Sequence, residues 1–99
     1  MKTIMNYKSP CSTNDRESIV EKTFREWVQS QGGLCIKLNS ANSVRGIPDR
    51  MILWPGGRTE FAEIKRYKGH IAPLQVMWGE KLRRMGFAWT IIAPETIRK

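Results

Sequence analysis

GIPDRMILWPGGRTEFAEIK, residues 46–65, reads as a β-hairpin with a carboxylate at each end. DRMILW (49–54) is an apolar run opened by Pro48-Asp49, and TEFAEIK (59–65) follows the turn residues Pro55-Gly56-Gly57. In a strand, side chains two apart share a face, so Phe61, Glu63 and Lys65 point one way and Glu60, Ala62 and Ile64 the other. Folding the hairpin brings Asp49 towards Glu63 and Lys65. A carboxylate at the mouth of a buried strand is costly unless it is paired or metal-bound. Two carboxylates and a lysine converging on one spot form the arrangement that phosphodiester hydrolysis needs. Hard oxygen ligands take Mg²⁺ or Mn²⁺, and the lysine handles a proton or developing negative charge.

Outward from this hairpin the chain alternates helix and strand. A first helix is expected from near Asp15, capped by Asn14 with Glu17 three residues on, its apolar stripe Val20, Phe24, Trp27 and Val28, ending at Gly32-Gly33. LCIKL (34–38) alternates, which predicts Leu34, Ile36 and Leu38 on a buried face. NSANSVRGIP (39–48) has loop chemistry. A second helix is expected over 72–86, with Leu74, Trp78, Leu82 and Met85 as its buried stripe, then a last strand over 87–92 joined by a parallel crossover. Trp78 and Trp89 are expected to fill the core. Residues 1–13 are polar and non-periodic and read as a flexible N-terminal arm. Residues 14–99 read as a single domain, with no internal repeat.

Seventeen Lys and Arg against nine Asp and Glu give a formal charge of +8 on 99 residues, shared between both halves of the chain. So basic a body points to a polyanion partner. No apolar run reaches the roughly 18 residues of a membrane span, and the N-terminus lacks a signal-peptide core. Cys11 and Cys35 are too few for a disulfide framework or a four-ligand zinc site. These readings exclude a membrane protein and place the expected location in the cytoplasm with free thiols.

The hairpin motif resembles the core of the PD-(D/E)XK nucleases, with Pro48-Asp49 as the first part and Glu63-Ile64-Lys65 as the second. More narrowly, the chain resembles the VRR-NUC domain in its short, stand-alone, phage-type form. The features that carry this are Glu17 and Glu21 on the first helix, the Gly32-Gly33 ending, the Gly46–Asp49 turn, the Pro55-Gly56-Gly57 hairpin, Gln75 on the second helix and the apolar strand after Gly86. The resemblance implies a restriction-endonuclease-like α/β fold, a mixed β-sheet flanked by helices in the order α-β-β-β-α-β. It implies a Mg²⁺- or Mn²⁺-dependent endonuclease acting on DNA, with branched DNA and Holliday-junction resolution as its province, working as a homodimer without a small-molecule cofactor. A phage-encoded member would act in the cytoplasm of a bacterial host. A nickase, a flap- or restriction-type endonuclease, and a non-catalytic DNA-binding module on the same fold are the alternatives.

In that reading Asp49, Glu63 and the backbone carbonyl of Ile64 hold metal, Lys65 activates the nucleophile and Gln75 orients the site. Both Glu17 and Glu21 match the first-helix acid. At about 100° per residue both edge the stripe of Phe24 and Val28, while Glu26 points away. Glu21, deeper in the helix, is the expected ligand, directly or through water, and Glu17 the alternative. Arg45, Arg50, Arg66 and Lys68 are expected to touch DNA. His70, the single histidine, is assigned no chemistry.

Overall fold

A computed structural model of the chain describes residues 2–38 and 44–94. Residues 39–43 of the expected loop and the final residues 95–99 lie outside this set. Two helices, α1 (Glu17–Ser30) and α2 (Pro73–Arg84), flank a sheet of four strands, β1 (Leu34–Lys37), β2 (Arg50–Leu53), β3 (Thr59–Ile64) and β4 (Ala88–Ile92). The strands lie in sequence order, β1-β2-β3-β4. The first two pairings are antiparallel, and β3 pairs with β4 in parallel across the α2 crossover. This is the expected mixed α/β sheet.

The core lies under α1. Val20, Phe24 and Val28 are fully buried, as their spacing predicts, and meet Ile52, Ala62, Ile64 and Ile92 on one sheet face. Gly32, at φ +87°, ends the helix in a left-handed conformation. A side chain on Gly33 would collide with the Trp54 ring and Val28, so only glycine lets β1 leave this closely.

Several expectations are corrected. α1 begins at Glu17, two residues later than the expected start near Asp15, because the Asp15 carboxylate instead accepts the Ser12 N–H at 2.8 Å, closing a turn ahead of the helix. On β1 the faces are exchanged: Cys35 packs on the core, while Leu34 and Ile36 are exposed. On α2 the helix meets the sheet through Gly79 and Leu82; Leu74 and Met85 are exposed and Trp78 is half-buried. The cause is Trp89. A Cβ on Gly79 would stand 2.2 Å from the Trp89 ring, so the helix sits down on the indole there and rotates away from the stripe read from sequence.

The N-terminal segment, expected as a flexible arm, is docked. Ile4, in the short 3₁₀ turn Ile4–Asn6, is 1% exposed. Tyr7 lies against Phe24 and Trp27 with ring centroids 5.1 and 5.0 Å apart. The anchor is Glu60, a fully buried carboxylate on β3. It accepts the Ile4 N–H at 2.7 Å, the Trp54 indole N–H at 3.1 Å and the Thr3 hydroxyl, and pairs with Arg58 at 2.9 Å. Burial alone raises its pKa, but these donors outweigh burial and hold it below the ordinary carboxylate value. Its stabilising effect is therefore present above the unfolded-state pKa and fades as pH falls through the folded one. Glu60→Ala leaves three donors buried without an acceptor and should cost about 3–5 kcal/mol. Thr3→Ala removes one donor and should cost about 1 kcal/mol. Chemical denaturation of both variants measures this; equal losses would show that Glu60 is not the anchor.

Candidate active site

Asp49 and Glu63 meet where β2 begins and β3 ends. Pro48 is buried and fixes the approach to Asp49. Asp49 sits one residue before β2, and its Oδ2 accepts the Ile64 N–H at 2.8 Å. That bond ties the first half of the motif to the backbone of the second. Glu63 is fully buried. Its Oε1 accepts the Gln75 amide at 3.1 Å, and Gln75 Oε1 accepts the Ala72 N–H at 2.8 Å. Gln75 thus closes the first turn of α2 with one end and holds Glu63 with the other, which fixes its orientation.

The electrostatics of the pair are unfavourable by construction. Burial pushes the Glu63 carboxyl up to about 8, helped by a hydrogen bond to the Asp49 carboxyl, by the charge of Asp49 and by that of Glu17; Lys65 opposes them. Oε2 of Glu63 is buried and has no hydrogen-bond donor. Two adjoining carboxyl groups with an orphaned oxygen call for a shared proton or a cation, and an all-oxygen donor set suits Mg²⁺ or Mn²⁺. Asp49, Glu63 and the Ile64 carbonyl could supply it. Among the described residues no third His, Cys, Asp or Glu side chain joins Asp49 and Glu63 in a group that could hold a metal ion. The pair is thus an open site with two carboxylates.

The first-helix acids part company here. Glu21 is held by Arg50 and, at 3.4 Å, by Arg25. Glu17 makes no ion pair among the described residues, and its charge is felt at Glu63. Arg50, expected to touch DNA, is instead committed inside the fold. Its side chain is 13% exposed and also donates to the Cys35 carbonyl at 3.3 Å. The register pairs Arg50 with Lys37, and both line a cleft of about 270 Å³ with Glu17, Ser18, Glu21 and Asp49. Sequence reading missed Ser18 and Lys37; the β1–β2 register is the signal that would place Lys37 there. Cys35 lies beneath, its thiol pushed up to about 11 by burial, and is inert as a nucleophile. Arg45, Arg66, Lys68 and His70 are exposed. Lys68 takes φ +57° in a turn where Gly69 donates to the Arg66 carbonyl at 2.8 Å, and a Cβ on Gly69 would lie 2.9 Å from that oxygen.

The fold is that of a nuclease-family domain of the restriction-endonuclease type. A solved structure described as a VRR_NUC domain superposes with a TM-score of 0.71 at 28% identity, over 79% of this chain and 84% of the other. The fold is that of a VRR-NUC domain. No family model matches the chain. No curated protein matches it. No helix among the described residues is long and apolar enough to cross a membrane.

The raised Glu63 pKa carries a sign. Between the unfolded value near 4.5 and the folded value near 8 the native state holds a proton that the unfolded chain has released. The Glu63 contribution therefore lowers metal-free stability as pH rises from about 5 to 8. Melting curves across that range should show the fall for the parent chain and a flatter profile for Glu63→Gln. Mn²⁺ should raise the melting temperature more at pH 8 than at pH 5, since it displaces the same proton. A parent profile no steeper than that of Glu63→Gln would refute this account.

Proposed function

We propose that the protein is a Mg²⁺- or Mn²⁺-dependent endonuclease that hydrolyses DNA phosphodiester bonds. The observation that carries this reading is the adjoining Asp49–Glu63 pair, in which Glu63 is fully buried and its Oε2 is shielded from solvent. A non-catalytic binding module has no use for a carboxylate pair held at this cost.

When bound, the cation supplies Lewis acidity at the scissile phosphate and acidifies a water. Asp49, Glu63 and the Ile64 carbonyl would hold it, and Gln75 keeps Glu63 in its rotamer. Lys65 shares the strand face of Glu63; it takes a proton from the attacking water or offsets charge on the phosphate. Glu17 is the first-helix acid of the site, because Glu21 is neutralised by Arg50 and Arg25. Arg45, Arg66 and Lys68 grip the phosphate backbone, so affinity falls with rising salt. Four-way and other branched DNA are the substrates, and two copies supply the paired cuts that a junction requires.

The decisive experiment incubates labelled junction, flap, duplex and single-stranded DNA with the protein and Mg²⁺, Mn²⁺ or EDTA. Cleavage should need metal and favour the junction. Lys65→Ala should slow it about 100-fold or more while keeping Mn²⁺-induced stabilisation, whereas Asp49→Asn should lose both. Glu17→Gln should slow cleavage at unchanged melting temperature. Glu21→Gln should chiefly lower the melting temperature. Full activity in EDTA overturns the mechanism; equal cutting of duplex and junction overturns the substrate.

A further inference from the structure

One base in the cleft beside Asp49 has no part in the chemistry described so far. Lys37 ends β1, and the ladder places it there. It pairs with Arg50, and the next residue, Leu38, donates its N–H to the Asp49 carbonyl at 2.9 Å. Residues paired across a sheet share a face, as do residues two apart on one strand. Lys37 therefore stands with Arg50 and Cys35 on the face that α1 covers, where Arg50 reaches Glu21 and Cys35 packs on the core. Glu63 and Lys65 stand on the other face, where Gln75 of α2 meets Glu63. The two lysines flank the Asp49–Glu63 pair from opposite sides of the sheet.

The two bases of this cleft differ in what holds them. Arg50 is tied to Glu21 and to the Cys35 carbonyl. Lys37 is exposed, and its ammonium makes no ion pair among the described residues, although Glu17, Glu21 and Asp49 line the same cleft. Glu21 is taken by Arg50 and Arg25, and Asp49 accepts the Ile64 N–H beside Glu63. The cleft of about 270 Å³, against about 30 Å³ for a water, has room for a phosphate group and its sugar. We propose that Lys37 is a substrate-binding residue that holds the phosphate next to the scissile one, an assignment that rests on the nuclease reading and adds a second phosphate to it. A lysine is a compact charge with three donors, suited to a phosphate oxygen and indifferent to the base. With one phosphate at the Asp49–Glu63 pair beside Lys65, the next reaches Lys37 only if the strand crosses the sheet edge from the α2 side to the α1 side. Lys37 thereby fixes the path of the backbone through the site. It touches no reacting atom, so it binds the ground and transition states alike.

Lys37→Ala, Lys37→Arg and Lys22→Ala are compared with the parent chain. Lys22 is an equally exposed lysine on α1 outside the cleft, and melting curves should coincide for all four. Fluorescence anisotropy of a labelled four-way junction in EDTA, over a salt series, reads the contact without cleavage. Lys37→Ala should weaken binding about 5- to 10-fold and lower the slope of log affinity against log salt by about 0.9. In Mn²⁺ it should raise KM by a similar factor and leave kcat within about twofold. Lys37→Arg should restore most of the loss, and Lys22→Ala should stay with the parent. Replacing single phosphates of the cleaved strand by neutral methylphosphonates identifies the partner. At one phosphate next to the scissile one, the replacement should raise KM of the parent and leave that of Lys37→Ala unmoved. An unchanged salt slope in Lys37→Ala, an equal loss from Lys22→Ala, or a fall in kcat at constant KM overturns the proposal. A parent that cleaves no DNA while Lys37→Ala still lowers the slope refutes the nuclease reading and leaves the phosphate contact in place.

Discussion

Two carboxyl groups on neighbouring strands, one of them sealed from water, set the terms for what surrounds them. Asp49 and Glu63 repel, and burial strengthens the repulsion. The fold answers with the Ile64 N–H on Asp49 and the Gln75 amide on Glu63, both supplied by elements rigid for other reasons. It leaves one oxygen unanswered. A pocket meant only to be stable would bury a neutral residue here. Holding two carboxyl groups side by side in fixed orientation is costly, and that cost is met by the hairpin and by the packing of both helices.

The hairpin was legible in the sequence because its information is local. Pro48-Asp49, the glycines at 56 and 57 and the alternation of 59–65 dictate a turn and two faces without reference to distant residues. The stripe of α1 was legible for the same reason. What failed was set by tertiary contact. Nothing in LCIKL says which side of the strand α1 will occupy, so the faces of β1 were exchanged. Nothing near Gly79 announces that an indole ten residues on will rest against its Cα. The docked N-terminal segment depends on Glu60, whose partners stand as many as 57 residues away. On α1, helical angle alone cannot foresee that Glu21 is held by Arg50, which reaches it from another strand.

The distribution of charge follows from these placements. Glu60 and Glu63 are fully buried, and Asp49 and Glu21 are partly so. Arg45, Arg66, Lys68 and Arg84 stand in solvent. The two fully buried charged residues are both acids, so a polyanion approaching the surface meets a more positive body than the net count suggests.

Gly79 shares the sheet-facing side of α2 with Gln75, one helical turn away. Its single hydrogen sets how near the helix comes to Trp89, and so how far the Gln75 amide stands from the β3 carboxylate. The glycine acts as a spacer gauge. A thicker residue there would lift the whole helix and draw the amide off Glu63. In this small domain the spacing of the candidate site is set at a position that carries no functional group.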